Sequence, residues 1–343
     1  MRKEIKVACL PVAGIGNPYQ YLMIKGLNGE ANLNVFSGID DRFFGILRTA
    51  ILQKPTYIHF DWITSYYYRR SLWMTLFNIP LFIIQILVVK YIFNIQMVWT
   101  LHNIQPHDAK HYKIHAFCRR FLAKQTSWIR LFSKNSITRA QEALKVKCNF
   151  IICPEGSYVN YYKNTISTKK ARLKLNIAEN DFVYLYLGFI KPYKGIEELI
   201  EHFIKLNVEN KKLIIAGSVS NVNYFNEIYT KNNDILFVNR FIENDELQNF
   251  YKAADVLVLP FKKVENSGSV ILAMSFKKTV IAPHMGVLID RLVKQPAFLY
   301  KEGELYQKLQ LAYERRDLLD VYGEGNFEEL KKNKWEHFVR CFT

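Results

Sequence analysis

The sequence lacks the marks of several large protein classes. Its five cysteines, Cys9, Cys118, Cys148, Cys153 and Cys341, include no C-x-x-C pair, so neither a zinc ribbon nor a dithiol redox motif is present. Free thiols in a reducing compartment are the simpler reading. Fifteen glycines and ten prolines in 343 residues exclude collagen-like and low-complexity chains. No D-x-D carboxylate pair and no internal repeat occur. Ile5–Leu10 is too short for the apolar region of a secretory signal, so the chain is expected on the cytoplasmic side.

Acidic residues are scarce. Lysine and arginine number 47 against 31 aspartates and glutamates, a net charge of +16 at pH 7. Such an excess implies anionic company: phosphate-bearing ligands, an acidic membrane surface or nucleic acid. Half of the residues are hydrophobic, which excludes disorder and suffices for a sizeable core. The one long apolar run is Leu72–Val89, LWMTLFNIPLFIIQILVV, with Arg69 and Arg70 before it and Lys90 after it. Asn78, Pro80 and Gln85 interrupt it. A buried core helix, a helix in a membrane interface and a short span all remain open.

Short apolar runs alternate with helical stretches. Strands are expected at Ile5–Pro11, Tyr57–Phe60, Gln96–Leu101, Trp128–Phe132 and Asn149–Ile152. A polar stretch from Tyr161 to Asn180 reads as a linker region. The alternation then restarts with strands at Phe182–Tyr186, Lys212–Ile215, Ile235–Val238, Val256–Leu259 and Val280–Ala282. Helices are expected at Ile196–Leu206, Asp245–Ala253 and Val270–Phe276. Strands alternating with helices indicate parallel sheets. The expectation is an α/β chain with two Rossmann-like doubly wound domains, whose ligands bind at carboxyl ends of strands.

Four segments carry chemistry. Gly188-Phe189-Ile190-Lys191-Pro192-Tyr193-Lys194-Gly195 follows a strand and opens a helix; a glycine turn, a helix N-terminus and two lysines suit a diphosphate. Glu265-Asn266-Ser267-Gly268-Ser269 also opens a helix and presents hydroxyls and N–H donors. Pro11–Tyr19 holds Gly14, Gly16, Asn17 and Tyr19. It has G-x-G without the third glycine of a dinucleotide fingerprint, and reads as a tight loop at a cleft. Thr100–Asp108 places His102, His107 and Asp108 after a strand. His111 and His115 continue from His107 at i+4 spacing, but no known metal-site pattern accompanies them. His102 reads as a site residue or a buried structural histidine, and Asp61 as a site residue or a helix N-cap.

As a set, these segments resemble a GT-B fold glycosyltransferase of the large bacterial family 4 type, in the branch that builds capsular and exopolysaccharide units. The family's G-x-[RK]-x-x-K-G motif resembles Gly188, Lys191, Lys194 and Gly195, with one extra residue after the first glycine. Its "LIIAG" strand is similar to Leu213–Gly217. Its "Y-x-x-A-D-V-x-V-x-P" is similar to Tyr251, Ala254, Asp255, Val256, Val258 and Pro260. Its "P-V-I-A" is similar to Thr279–Ala282. Of the two glutamates common in the family, the first falls near Glu265 and the second is replaced by Leu272. The second usually holds the donor ribose, so ribose contacts and a retaining outcome do not transfer.

The resemblance implies two domains facing a central cleft. Residues 1–160 would bind the acceptor and 161–320 the nucleotide-sugar, with a helix over 321–343 returning to the N-terminal domain. Donor contacts would come from Gly188, Lys191, Lys194, Gly195, Gly217, Glu265, Asn266, Ser267, Gly268 and Ser269. Gly14, Gly16, Asn17 and Tyr19 would form an acceptor-side loop. His102 would correspond to the family's strand-end histidine near the reacting sugar; for an inverting reaction Asp61, His107 and Asp108 are the candidate bases. The expected reaction moves a hexose from a nucleoside-diphosphate sugar to a polyprenyl-diphosphate-linked saccharide, without a metal or other cofactor. The enzyme would be peripheral on the inner face of the plasma membrane, with Arg69, Arg70, Arg119 and Arg120 as surface contacts. The alternatives are a catalytically inactive GT-B subunit, a basic nucleic-acid binder or a sugar-nucleotide epimerase or dehydrogenase. For the last, neither a clean glycine fingerprint nor a Tyr-x-x-x-Lys dyad in context is present.

Overall fold

The computed structural model describes residues 4–14, 17–30, 32–104, 111–219, 221–264 and 266–342. The chain divides into two compact units, residues 1–156 with 333–343, and residues 157–332.

In the N-terminal unit the strands β1 (Ile5–Leu10), β2 (Leu33–Ser37), β3 (Tyr57–Phe60), β4 (Gln96–Thr100), β5 (Trp128–Leu131) and β6 (Phe150–Ile152) form a parallel sheet in the order β2-β1-β3-β4-β5-β6. Its buried positions are mostly apolar because helices cover both faces of a parallel sheet. The core gathers Leu10, Ile58, Phe60, Met97 and Trp99 from the strands with Phe82 and Ile86 from a flanking helix. β2, LNVFS, was not expected from the sequence: only Leu33 and Val35 are buried in it, a pattern too short to stand out.

In the C-terminal unit β7 (Phe182–Leu187), β8 (Lys211–Ala216), β9 (Ile235–Val238), β10 (Val256–Val258), β11 (Thr279–Pro283) and β12 (Leu299–Tyr300) are parallel in the order β12-β11-β10-β7-β8-β9. Each sheet therefore reverses its winding once. The reversal falls between β1 and β3 in the first sheet and between β10 and β7 in the second. Loops leaving the strands diverge there and open a crevice beyond their carboxyl ends.

Two segments differ from the sequence reading. The stretch 161–180 is built into the C-terminal unit: helix Thr168–Lys174 packs on helix Leu247–Ala253. Its Arg172 pairs with Asp255 at 2.8 Å, and Asp255 also accepts the Val183 N–H at 2.7 Å. The aspartate of the resembling Y-x-x-A-D segment is thus a clamp between β7 and β10. The chain returns to the N-terminal unit at residue 333 rather than 321, while helix Leu319–Lys331 packs on helix Gly268–Ser275.

The apolar segment forms helix Leu72–Leu87, continued by a π-helical turn at Val88–Ile92. One face is buried through Thr75, Asn78, Phe82, Gln85 and Ile86. Gln85 donates to the Phe43 carbonyl at 2.7 Å and accepts the Leu47 N–H at 3.1 Å. The opposite face is bare: Trp73 is 82% and Phe77 72% exposed. Thr75, like Gln85, bonds to the backbone, donating to the Arg69 and Ser71 carbonyls, so two polar side chains of this helix are bonded within the unit.

Candidate active site

In the N-terminal unit the site stands at the β1/β3 reversal. Asp61 follows β3 and is buried. Its Oδ2 accepts from Gln20 Nε2 at 3.2 Å and its Oδ1 from His102 Nε2 at 2.8 Å. It is not a helix cap, because the next helix, Thr64–Tyr67, is capped at Ile63. Gln20 also accepts the Ala13 N–H and donates to the Pro11 carbonyl, so one side chain joins the β1 loop to the carboxylate. Burial opposes ionisation of Asp61, but His59, His102 and Gln20 outweigh it and hold the carboxyl below its usual range.

His102 is packed as closely as it is bonded. Trp62 stacks on its ring at 4.4 Å, and Tyr19 meets it edge-on at 4.9 Å. Its side chain is 10% exposed and lines a pocket of about 80 Å³ with Asp61, Trp62, Trp99, Asn103 and Arg119. With Nε2–H given to Asp61, the lone pair of the neutral ring lies on Nδ1. A base oriented by a buried carboxylate is the arrangement that general-base chemistry needs.

The other expected residues of this unit separate. Asn17 caps helix Pro18–Leu27 by accepting the Tyr19 N–H at 3.1 Å. Tyr19 is buried, and its hydroxyl accepts from Arg130 at 3.0 Å. Gly14 is exposed with open space where a Cβ would stand. Gly16, His107 and Asp108 lie outside the described residues. His115 turns inward, its Nδ1 3.0 Å from the Tyr67 hydroxyl. Among the described residues no group of three metal-ligating side chains occurs. Arg119 is buried, donates to the Asn103 carbonyl and faces the Trp99 ring; Arg69 donates to carbonyls of Ser65, Tyr68 and Arg42. Neither is a free surface cation, contrary to the sequence reading, because each guanidinium satisfies loop carbonyls.

Gln20, His59, Trp62 and Arg130 were missed by sequence reasoning. His59 lies below the site, with Nε2 2.7 Å from Thr100 Oγ1 and Phe338 edge-on at 5.0 Å. The returning C-terminal segment thus seals it, and burial lowers its pKa to about 4. The unfolded chain takes up this proton near pH 6.5 and the folded one only near 4, so stability should fall as pH drops through that window. The loss should approach roughly 3 kcal/mol. Urea unfolding between pH 7 and 4.5 checks this: the slope should flatten in His59→Gln, and an equal slope in both proteins would exclude His59 as its source.

In the C-terminal unit the site stands at the β10/β7 reversal, where three strand ends meet. Gly188 follows β7 with φ +153°, and a Cβ on it would lie 3.6 Å from Ser269 Oγ. The two anion-friendly turns are therefore neighbours. Gly217, after β8, has φ +145°, and a Cβ there would come within 1.9 Å of the Gly188 carbonyl. At Gly195, φ +71°, a Cβ would strike the Pro260 carbonyl at 2.0 Å. These backbones pass too closely for any side chain.

Ser267 is buried and makes no side-chain cap to helix Gly268–Ser275, whose first N–H groups need partners. Asn266 is partly buried ahead of it, and Glu265 lies outside the described residues. Lys194 Nζ sits 3.9 Å from the centre of the Phe261 ring and 5.2 Å from that of Tyr193. No ion pair to it occurs among the described residues. Desolvation, then the Lys191 charge, lower its pKa to about 8. Leu272 is buried in the helix, so no carboxylate reaches a ribose from that position.

Each unit thus places a polar turn at the winding reversal of a doubly wound sheet, where ligands bind in such folds. Residues 167–325 match the family described as Glycosyl transferases group 1. The chain is 25% identical over 272 residues to GDP-mannose:glycolipid 4-beta-D-mannosyltransferase of Xanthomonas campestris pv. campestris, covering 78% of this chain and 72% of the relative. Sucrose-phosphate synthase from Thermosynechococcus elongatus superposes with a TM-score of 0.75 at 14% identity, over 98% of this chain and 97% of that one. HepE of Anabaena, solved with UDP and glucose, superposes with a TM-score of 0.74 at 16% identity, over 98% of each chain. The fold is that of the GT-B glycosyltransferases, and residues 167–325 carry the group 1 glycosyltransferase domain, which makes the chain a glycosyltransferase.

Proposed function

We propose that the protein transfers a hexose from a nucleoside-diphosphate sugar to a lipid-linked saccharide, with inversion and without a metal, at the cytoplasmic face of a membrane in surface-polysaccharide synthesis. The observation that carries this reading is Lys194: an ammonium desolvated against Phe261, beside Lys191 and the serine turn, is a site prepared for a diphosphate. As the bond from the anomeric carbon to the diphosphate breaks, Lys191, Lys194 and the N-terminus of helix Gly268–Ser275 stabilise the departing charge. The acceptor oxygen forms the new bond at that carbon and gives its proton to His102 Nδ1, while Asp61 balances the imidazolium. A protein base fits inversion, and Leu272 removes the glutamate on which the resembling retaining pattern relies. No D-x-D pair is available to carry a metal.

The glycolipid in the name of the Xanthomonas relative supports a lipid-linked acceptor, as does the bare face of helix Leu72–Leu87, which suits a membrane interface. Nucleic-acid binding is disfavoured because no sequence signature of a nucleic-acid-binding module occurs in the chain.

The test is thermal unfolding with UDP, GDP, ADP and CMP and their sugars, GDP-mannose first. A ligand at about 100 times its Kd adds roughly 2.7 kcal/mol, a rise of several degrees at this size. One nucleotide family should give that rise, and a donor of α configuration should yield a β product by NMR. No rise with any nucleotide would overturn the donor assignment, and an α product would overturn the inverting role of His102.

A further inference from the structure

The N-terminal unit carries a second concavity, an open groove of about 440 Å³ lined by helix Tyr112–Gln125 together with Lys145 and Val146. Its lining includes Lys113, Arg120, Lys124 and Lys145 and no carboxylate. None of these four forms an ion pair among the described residues. Arg120 is steered along the groove by the Ala143 carbonyl. Lys113, Phe117, Arg120, Phe121 and Lys124 follow one helical face. From residue 113 to 124 the helix rises about 16 Å, so the cations are strung out rather than converging on one phosphate.

The groove adjoins the bare apolar helix. Phe121, in its wall, packs edge-on against Phe82 of helix Leu72–Leu87 at 6.3 Å. Beyond that helix, Lys90 Nζ donates to the Gln125 carbonyl at 3.0 Å, and Tyr91 to Gln125 Oε1 at 3.4 Å. Exposed Phe117 therefore stands within the lysine row and exposed Tyr91 at its end, while Trp73 and Phe77 lie on the helix face opposite Phe82. Hydrocarbon beside a line of positive charge matches the acyl boundary and headgroup layer of an acidic bilayer. A nucleic acid would satisfy the charge and leave the hydrocarbon in water.

We propose that this groove binds the phosphate headgroups of anionic phospholipid, fixing the N-terminal unit on the membrane; this rests on the membrane reading above and names its lipid. The test is flotation of the full chain with vesicles of phosphatidylcholine alone or with phosphatidylglycerol added. Wild type should favour the anionic vesicles. Combining Lys113→Ala, Lys124→Ala and Lys145→Ala should lower partition about a hundredfold, near fivefold per cation, and the same three changes to arginine should restore it. Trp73→Ser with Phe77→Ser should weaken partition to both compositions. Unchanged partition of the alanine variant, or equal wild-type partition to neutral vesicles, would overturn the groove assignment. So would an equal loss of transfer to a soluble, lipid-free acceptor, which would give the groove to the acceptor path, or a loss confined to RNA binding. The nucleotide response of wild type reads the donor site separately: if it fails while the vesicle results hold, the transferase reading falls and the lipid site stands.

Discussion

Lys194→Ala should reduce turnover by roughly 10²- to 10³-fold, the cost of removing one preorganised group from a developing charge, while the ligand-free protein melts no lower than wild type. The second half follows from the environment of the ammonium. It faces the Phe261 ring and lies near Lys191, and desolvation with that like charge brings its pKa to about 8. Folding therefore gains nothing from this charge until an anion arrives. A bound diphosphate reverses both effects and raises the pKa, so binding above pH 8 must take up a proton. Affinity for the nucleoside diphosphate should then fall as pH rises above about 8, approaching tenfold per unit. Calorimetric titrations at pH 7, 8 and 9 should show this fall in wild type and a weak, flatter profile in the variant. Near-normal turnover of Lys194→Ala would remove the diphosphate assignment.

His102→Ala should lower kcat by roughly 10²- to 10⁴-fold with little change in the donor KM, since a general base acts only in the transition state. Asp61→Asn should also lower kcat. An asparagine amide offers no carboxylate to the forming imidazolium and can favour the wrong tautomer. The double variant should lose little more than the worse single one, because the two side chains act as a unit. Azide attacks carbon without losing a proton. Glycosyl azide formation should therefore survive His102→Ala even as transfer to the hydroxyl acceptor is lost. If azide transfer falls equally, with the nucleotide response intact, His102 has a positioning role and the base lies elsewhere.

Much of this architecture could be read from the chain. The apolar runs from Ile5 to Phe60 and from Phe182 to Val258 mark parallel strands because side chains buried on both faces leave little polar alternation. The lysines and glycines of Gly188–Gly195 and the serines of Ser267–Ser269 mark two neighbouring polar turns because the residue types themselves carry the charge, the hydroxyls and the backbone freedom. Tyr161–Asn180 misled for the opposite reason. Its polar composition resembles a linker, yet Arg172 finds Asp255, 83 positions away, and composition carries no record of such a partner. Arg69 and Arg119 misled similarly, as their loop carbonyls are invisible in a charge count.

The sequence by itself determined the two α/β units, the cationic turn at Gly188–Gly195, the missing carboxylate at Leu272 and the apolar run of Leu72–Val89. These depend on residue type and short spacing. Only the tertiary structure brought Gln20, Asp61 and His102 together and seated Ser269 against Gly188. It also sealed His59 beneath Phe338 and chose which face of Leu72–Leu87 stays bare. Each of these joins residues dozens to hundreds of positions apart, and the strand order that joins them is set by packing of the whole sheet, which no local pattern encodes.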